Sequence, residues 1–168
     1  NAIFAKTGRE GVLYQIRNLI ADEFARKAFE SEELFSVPLW FIRGEYMEGT
    51  VVGGNIRCFL KLAGTEHFPD LTGKILLLEA FGGEVPQMIT YLSQLKQLGA
   101  FEKVSGILLG TFTKMEQAPA NPPMEELILR VIPESLPVAK TKWIGHGSDS
   151  RAIRIGGHYR FGLKKCRK

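Results

Sequence analysis

An acidic residue closes an uninterrupted apolar run in the segment Gly73-Lys74-Ile75-Leu76-Leu77-Leu78-Glu79, and far downstream a histidine sits between glycines in Trp143-Ile144-Gly145-His146-Gly147. A carboxylate that orients an imidazole, delivered at the ends of apolar segments, is what a hydrolytic charge relay uses. The third member is missing from view, because no Ser or Cys lies on a Gly-x-Ser-x-Gly nucleophile elbow. Plainer readings compete with this one. A carboxylate after four apolar residues is costly to bury without a partner, so Glu79 belongs at a strand end near a cleft, or in an ion pair with a neighbour such as Lys74 or Arg57. A Gly-His-Gly tripeptide also occurs in ordinary turns, although flanking glycines let the backbone approach a ligand closely.

Other chemistry-bearing residues point less firmly. Gly53-Gly54-Asn55 reads as a tight strand-to-helix turn, with a backbone nest for an anion as the alternative. His67 and His158 have no metal-ligand spacing with each other or with His146, so they read as surface or packing residues. A metal site built on Glu79 and His146 alone lacks a third ligand, and the sequence implies no cofactor. Ser148, Asp149 and Ser150 are suited to ordering the loop after His146 through local side-chain to backbone bonds.

The elements that position these residues follow from periodicity. Ile75 to Leu78 is short and wholly apolar, as expected of a strand covered on both faces. Val85, Met88, Ile89, Leu92 and Leu95 recur at helical steps, and Gly99 stops that helix. Val104 to Leu109 is the next buried strand, which completes a strand-helix-strand unit of the α/β class. Upstream, Leu39 to Ile42 and Thr50 to Val52 read as strands, the second ended by Gly53-Gly54, with Asn55 capping a short helix through Leu62. Asn18 to Phe29 has helical spacing, and Asn1 to Gly8 reads as the end of a helix. Downstream, Lys114 to Pro123 is a loop, Met124 to Ile132 a helix, Pro137 to Ala139 extended, and Arg151 to Ile155 with His158 to Leu163 a closing pair of strands around Gly156-Gly157.

The 168 residues are 45% hydrophobic and 24% charged, which suits one ordinary core. The net charge of +4 is spread along the chain except at Lys164-Lys165-Cys166-Arg167-Lys168, so the pattern argues against a nucleic-acid partner. Cys58 and Cys166 form no framework, which points to a reduced, cytoplasmic setting. No apolar run approaches a membrane span.

Several blocks together carry a family resemblance: Thr50-Val51-Val52-Gly53-Gly54-Asn55-Ile56, Gly64-Thr65, Pro69 to Glu79, Leu92-Ser93-Gln94-Leu95-Lys96-Gln97-Leu98-Gly99, Gly106-Ile107-Leu108-Leu109-Gly110-Thr111-Phe112, and Gly145-His146-Gly147. In order and spacing they resemble the LD-carboxypeptidases, the murein tetrapeptide carboxypeptidases and microcin-immunity serine peptidases. The resemblance implies an α/β fold, a small mixed-sheet β/β/α swivelling-type domain over residues 46–168, with residues 1–45 as the tail of an N-terminal nucleophile domain and linker. It implies that this chain lacks the nucleophilic Ser, which would lie just upstream of residue 1, and that the chain alone is inactive.

By the same resemblance Glu79 is the triad acid and accepts from Nδ1–H, His146 is the general base, and Gly54 and Asn55 are substrate contacts. The reaction implied is hydrolysis of the bond between an L-centre and a terminal D-Ala in a murein-type tetrapeptide, with a homodimer as the assembly and no metal or organic cofactor. A catalytically inactive peptide-binding or regulatory module of the same fold is the alternative. After Gly8 the segment Arg9-Glu10-Gly11-Val12-Leu13-Tyr14 departs from the family pattern.

Overall fold

The structure, a computed structural model, describes residues 37–118 and 122–162. The helices read at Asn1 to Gly8 and Asn18 to Phe29, the residue Cys166 and the basic tail lie outside the described residues. Six strands form one mixed sheet: β1 (Trp40–Arg43), β2 (Tyr46–Asn55), β3 (Ile75–Ala80), β4 (Gly106–Phe112), β5 (Val138–Lys140) and β6 (His158–Gly162), in the order β1-β5-β4-β3-β2-β6. The central strands β2, β3, β4 and β5 are mutually parallel, and β1 and β6 close the two edges antiparallel to β5 and β2. This is the small mixed-sheet α/β architecture implied by the sequence blocks.

The continuous apolar run of β3 is explained by cover on both sides. Leu76 and Leu78 pack into a large core with Leu92, Leu95, Ile107 and Leu109. Ile75 and Leu77 face the opposite side, packing with Met47, Val51, Leu108, Ile144 and Ile153. Side chains alternate along a strand, so Glu79 continues the Ile75, Leu77 series and points toward the side that holds Ile144. Each fully buried Leu or Ile in these two layers contributes about 1.5–3 kcal/mol relative to exposure.

The helices supply the first layer. Helix α1 (Ile56–Leu60) starts at Asn55, whose side-chain oxygen accepts from Cys58 N at 3.2 Å as an N-cap. Helix α2 (Val85–Gln97) buries Met88, Leu92 and Leu95, while Ile89, one step off that stripe, is 47% exposed. Gly99 ends it in the left-handed region at φ +66° and leads into the short α3 (Ala100–Lys103). Helix α4 (Thr113–Gln117) follows β4, and α5 (Met124–Leu129) precedes the turns that reach β5. Lys140 on β5 is nearly buried and bridges these two helices through Glu116 at 2.7 Å and Glu125 at 2.5 Å.

Three sequence expectations differ from the structure. Strand β2 does not stop at Gly53-Gly54 but runs ten residues, from Tyr46 to Asn55, so these glycines form neither a turn nor a nest. Gly53 is needed because the sheet is tight there: a Cβ on it would lie 2.2 Å from the Leu77 carbonyl oxygen. Residues Lys114 to Gln117 are helical rather than loop. Arg151 to Ile155 is not a strand; Ile153 is drawn into the second core, and β6 pairs with Tyr46–Thr50 of β2 instead. Among the described residues no helix is long and apolar enough to cross a membrane.

Candidate active site

The parallel strands β2, β3 and β4 end side by side, and α/β sheets bind ligands at such carboxyl edges. In register, Asn55 of β2 stands beside Glu79 of β3. The next strand contributes Gly110, where a Cβ would lie 2.9 Å from Cβ of Glu79 and 2.5 Å from the Ile144 carbonyl oxygen. Only a glycine lets the loop carrying His146 descend so close to Glu79. Two more contacts fix that loop: Thr111 N donates to Ile144 O at 2.8 Å, and Gly145 at φ +146° brings its Cα hard against Thr111. Ser150 Oγ donates to Gly145 O at 3.0 Å, and Trp143 N to Thr141 Oγ1 at 3.2 Å, so the loop is tied on both sides of the histidine.

The two residues singled out by the sequence therefore meet. His146 Nε2 lies 3.1 Å from Glu79 Oε2, with the imidazole about a third exposed and the carboxylate 1% exposed. The nitrogen nearest the carboxylate is Nε2, where the sequence argument expected Nδ1. Imidazole donates from either nitrogen, and the direction from which the loop enters decides which edge faces the acid. The approach is short enough for an ion pair but is not angled as a hydrogen bond. Oε2 of Glu79 is accordingly the one buried side-chain oxygen or nitrogen without a hydrogen-bond partner among the described residues. Such looseness is common before substrate binds.

Burial raises the Glu79 carboxyl above its ordinary pKa; the facing His146 and a hydrogen bond from the Asn55 side chain act in the opposite direction. Asn55 thus has two tasks. Its Oδ1 accepts from Cys58 N, so the amide nitrogen, a donor only, is the part of the side chain that can favour a carboxylate beside it. Neither Lys74 nor Arg57 is what Glu79 touches. Gly54 lies opposite Leu78 within the ladder and is buried.

Sequence reasoning missed Phe81. It lies just past β3, is 59% exposed, and sets its ring edge-on to His146 at a centroid distance of 5.2 Å and an interplanar angle of 65°. The signal was present in the spacing, since Phe81 follows Glu79 by two residues, but an aromatic beyond a strand end carries no marker of its partner. His67 and His158 lie elsewhere, beside Glu66 and Glu48 respectively. Among the described residues no three metal-ligating side chains cluster.

This geometry can be set beside known proteins. The family model of the LD-carboxypeptidase C-terminal domain matches residues 48–161. The Bacillus subtilis (strain 168) protein YocD, whose name marks it provisionally as a carboxypeptidase, is 31% identical over 117 residues, covering 69% of this chain and 36% of YocD. The crystal structure of muramoyltetrapeptide carboxypeptidase from Oxalobacter formigenes superposes with a TM-score of 0.65 at 24% identity, over 86% of this chain and 53% of that one. Microcin C7 self-immunity protein MccF, solved in complex with aspartyl sulfamoyl adenosine, gives 0.63 at 21% identity, over 77% and 42%. The chain spans about a third of the length of the curated relatives it matches. With the matched region running from β2 to β6 and containing Asn55, Glu79 and His146, the chain belongs to the LD-carboxypeptidase C-terminal domain family.

Proposed function

We propose that this chain supplies the acid and the base of a serine-type LD-carboxypeptidase site, whose nucleophile comes from a part of the protein outside residues 1–168. The observation that carries the reading is the contact between a fully buried Glu79 and a partly exposed His146 at the carboxyl edge of the sheet. A carboxylate so placed orients the imidazole, stabilises the imidazolium once a proton has been taken, and is itself shielded from water. With Nε2 turned to Glu79, Nδ1 is the nitrogen free to take the Ser proton during attack on the peptide carbonyl and to return it to the leaving amine. Ser148 and Ser150 neighbour His146 in sequence, and Ser150 Oγ is engaged with the Gly145 carbonyl, which favours a nucleophile from elsewhere. Asn55 stands beside Glu79 in register and favours its ionised form.

The substrate class in this reading is a murein-type tetrapeptide cleaved between an L-centre and a terminal D-Ala. The similarity to the Oxalobacter muramoyltetrapeptide carboxypeptidase supports it, and the aspartyl sulfamoyl adenosine bound by MccF supports an aminoacyl-nucleoside conjugate as the second candidate. Turnover of both substrates by the complete protein, by its Glu79→Gln and His146→Ala variants, and by residues 1–168 alone tests the reading. The complete protein should be active on one of the two, the chain alone inactive, and Glu79→Gln reduced about 10⁴-fold with KM little changed. Near-normal turnover by Glu79→Gln, or robust turnover by the isolated chain, refutes it.

A further inference from the structure

We infer that Phe81 is a positioning residue that holds the His146 imidazole in its Glu79-facing orientation, an inference that rests on the proposed roles of that pair. Three observations carry it. Phe81 is among the few large apolar side chains left exposed, at 59%, although a ring turned into either core would gain burial. Its backbone is fixed, because Lys114 N donates to Phe81 O at 2.9 Å, tying the end of β3 to the start of α4. Its ring meets His146 edge-on at 5.2 Å and 65°, an aromatic geometry that contributes attraction beyond buried area.

The remaining contacts of the imidazole explain why such a wall is needed. The loop is anchored through backbone at Ile144 and Gly145, which places the Cα of His146 but not the ring. Glu79 touches one ring nitrogen, and that contact is not angled as a hydrogen bond. With a glycine on each side of His146, nothing in the adjacent sequence restricts how the side chain turns. The edge-on contact with Phe81 is the further contact that the ring makes, and it bears on the ring itself rather than on the backbone of the loop. It acts through His146 and has no part in proton transfer.

The test uses the folded chain as well as turnover. Imidazole ¹⁵N spectra, taken well above the pH range in which histidine titrates, report which nitrogen carries the proton. His146 is assigned by difference from a His146→Gln variant. The parent should show His146 held in the single tautomer with its proton on Nε2. Phe81→Ala should give ¹⁵N shifts averaged between the two tautomers, and Phe81→Leu, which keeps bulk, should restore most of the bias. In the complete protein Phe81→Ala should lower kcat about tenfold with KM changed less than twofold, the loss expected of a misplaced catalytic group, and Phe81→Leu should recover most of it. Thermal melts should move by only a few degrees, because the side chain is mostly exposed and the aromatic contact is all that is lost. Unaltered ¹⁵N shifts in Phe81→Ala would overturn the inference even if turnover fell. The spectra need no activity, so they separate failure of this inference from failure of the proposed reaction, which would show instead as full turnover by Glu79→Gln.

Discussion

Replacing Gly145 by Ala should detach the histidine loop. An added Cβ would lie 1.9 Å from Thr111 Oγ1 and 3.1 Å from Thr111 Cβ. Restoring ordinary contact requires the loop or β4 to retreat by about 1.5 Å, and the φ of +146° is one that a residue with a side chain rarely adopts. β4 is held by β3 and β5 on either side, so the loop must give way. That movement stretches the Thr111 N to Ile144 O bond of 2.8 Å and lifts the imidazole from Glu79. Overpacking and backbone strain together should cost about 2–4 kcal/mol if the native loop is kept, and less if the loop lifts off. A displacement near 1 Å at a reacting group costs about 10²-fold in rate, so turnover in the complete protein should fall at least that far. Gly156→Ala is the control. Its φ is +85° with no atom within 4 Å of the new Cβ, so it should cost about 1 kcal/mol of strain and leave turnover alone. If Gly145→Ala melts and turns over like Gly156→Ala, the argument that Gly145 seats His146 is wrong.

The raised pKa of Glu79 gives a second expectation. The folded chain binds a proton at Glu79 more tightly than the unfolded chain, so this group's contribution to stability falls as pH rises from its unfolded value of 4.5 through the folded one. In urea melts across pH 4 to 8, about the range in which carboxylates and histidine titrate, Glu79→Gln should lose that decline and equal or exceed the parent at neutral pH; a variant destabilised throughout would show that the carboxylate is structural. Glu48 should behave in the opposite sense. Hydrogen bonds from Tyr46, Arg160 and His158 lower its pKa to about 2, so its contribution is present above 4.5 and lost as pH falls through about 2. Acid unfolding of Glu48→Gln, followed by circular dichroism, should be less steep over that window than that of the parent, and an identical profile would mean that these bonds contribute nothing to stability in solution.

The parts of the fold that could be read in sequence are those in which one local pattern decides the structure. Ile75 to Leu78, the stripe Met88, Leu92 and Leu95, and the stop at Gly99 behave as periodicity and capping chemistry require. Gly53-Gly54 was misread because a glycine pair that ends a strand and one that admits a neighbouring carbonyl look the same in one dimension. Ile153 was misplaced for a related reason: an apolar residue near a turn can belong to a strand or be a single anchor into a core formed by distant residues. In the site, Glu79 and His146 stood out through unusual local surroundings. Phe81 did not, since its meaning depends on a loop that returns to it from the far side of β4, and neither did the nitrogen by which His146 meets the acid.

Strand β2 hands its pairing from one neighbour to another: Tyr46 to Thr50 pair with β6, Val51 to Asn55 pair with β3, and Val51 is shared, since its backbone also bonds Gly156 and Gly157 ahead of β6. One continuous ten-residue strand is therefore spliced into two mechanical units. The first belongs to a peripheral two-stranded ribbon whose outer strand is alternately exposed, and the second is locked between buried elements and ends at Asn55. Amide exchange along this single strand should show a step just after Val51, whose amide still donates to Gly157, with the ribbon opening in sub-global events that leave the Asn55 end closed. The edge of the domain can thus loosen, or be pulled, without transmitting slack to the carboxylate beside Asn55.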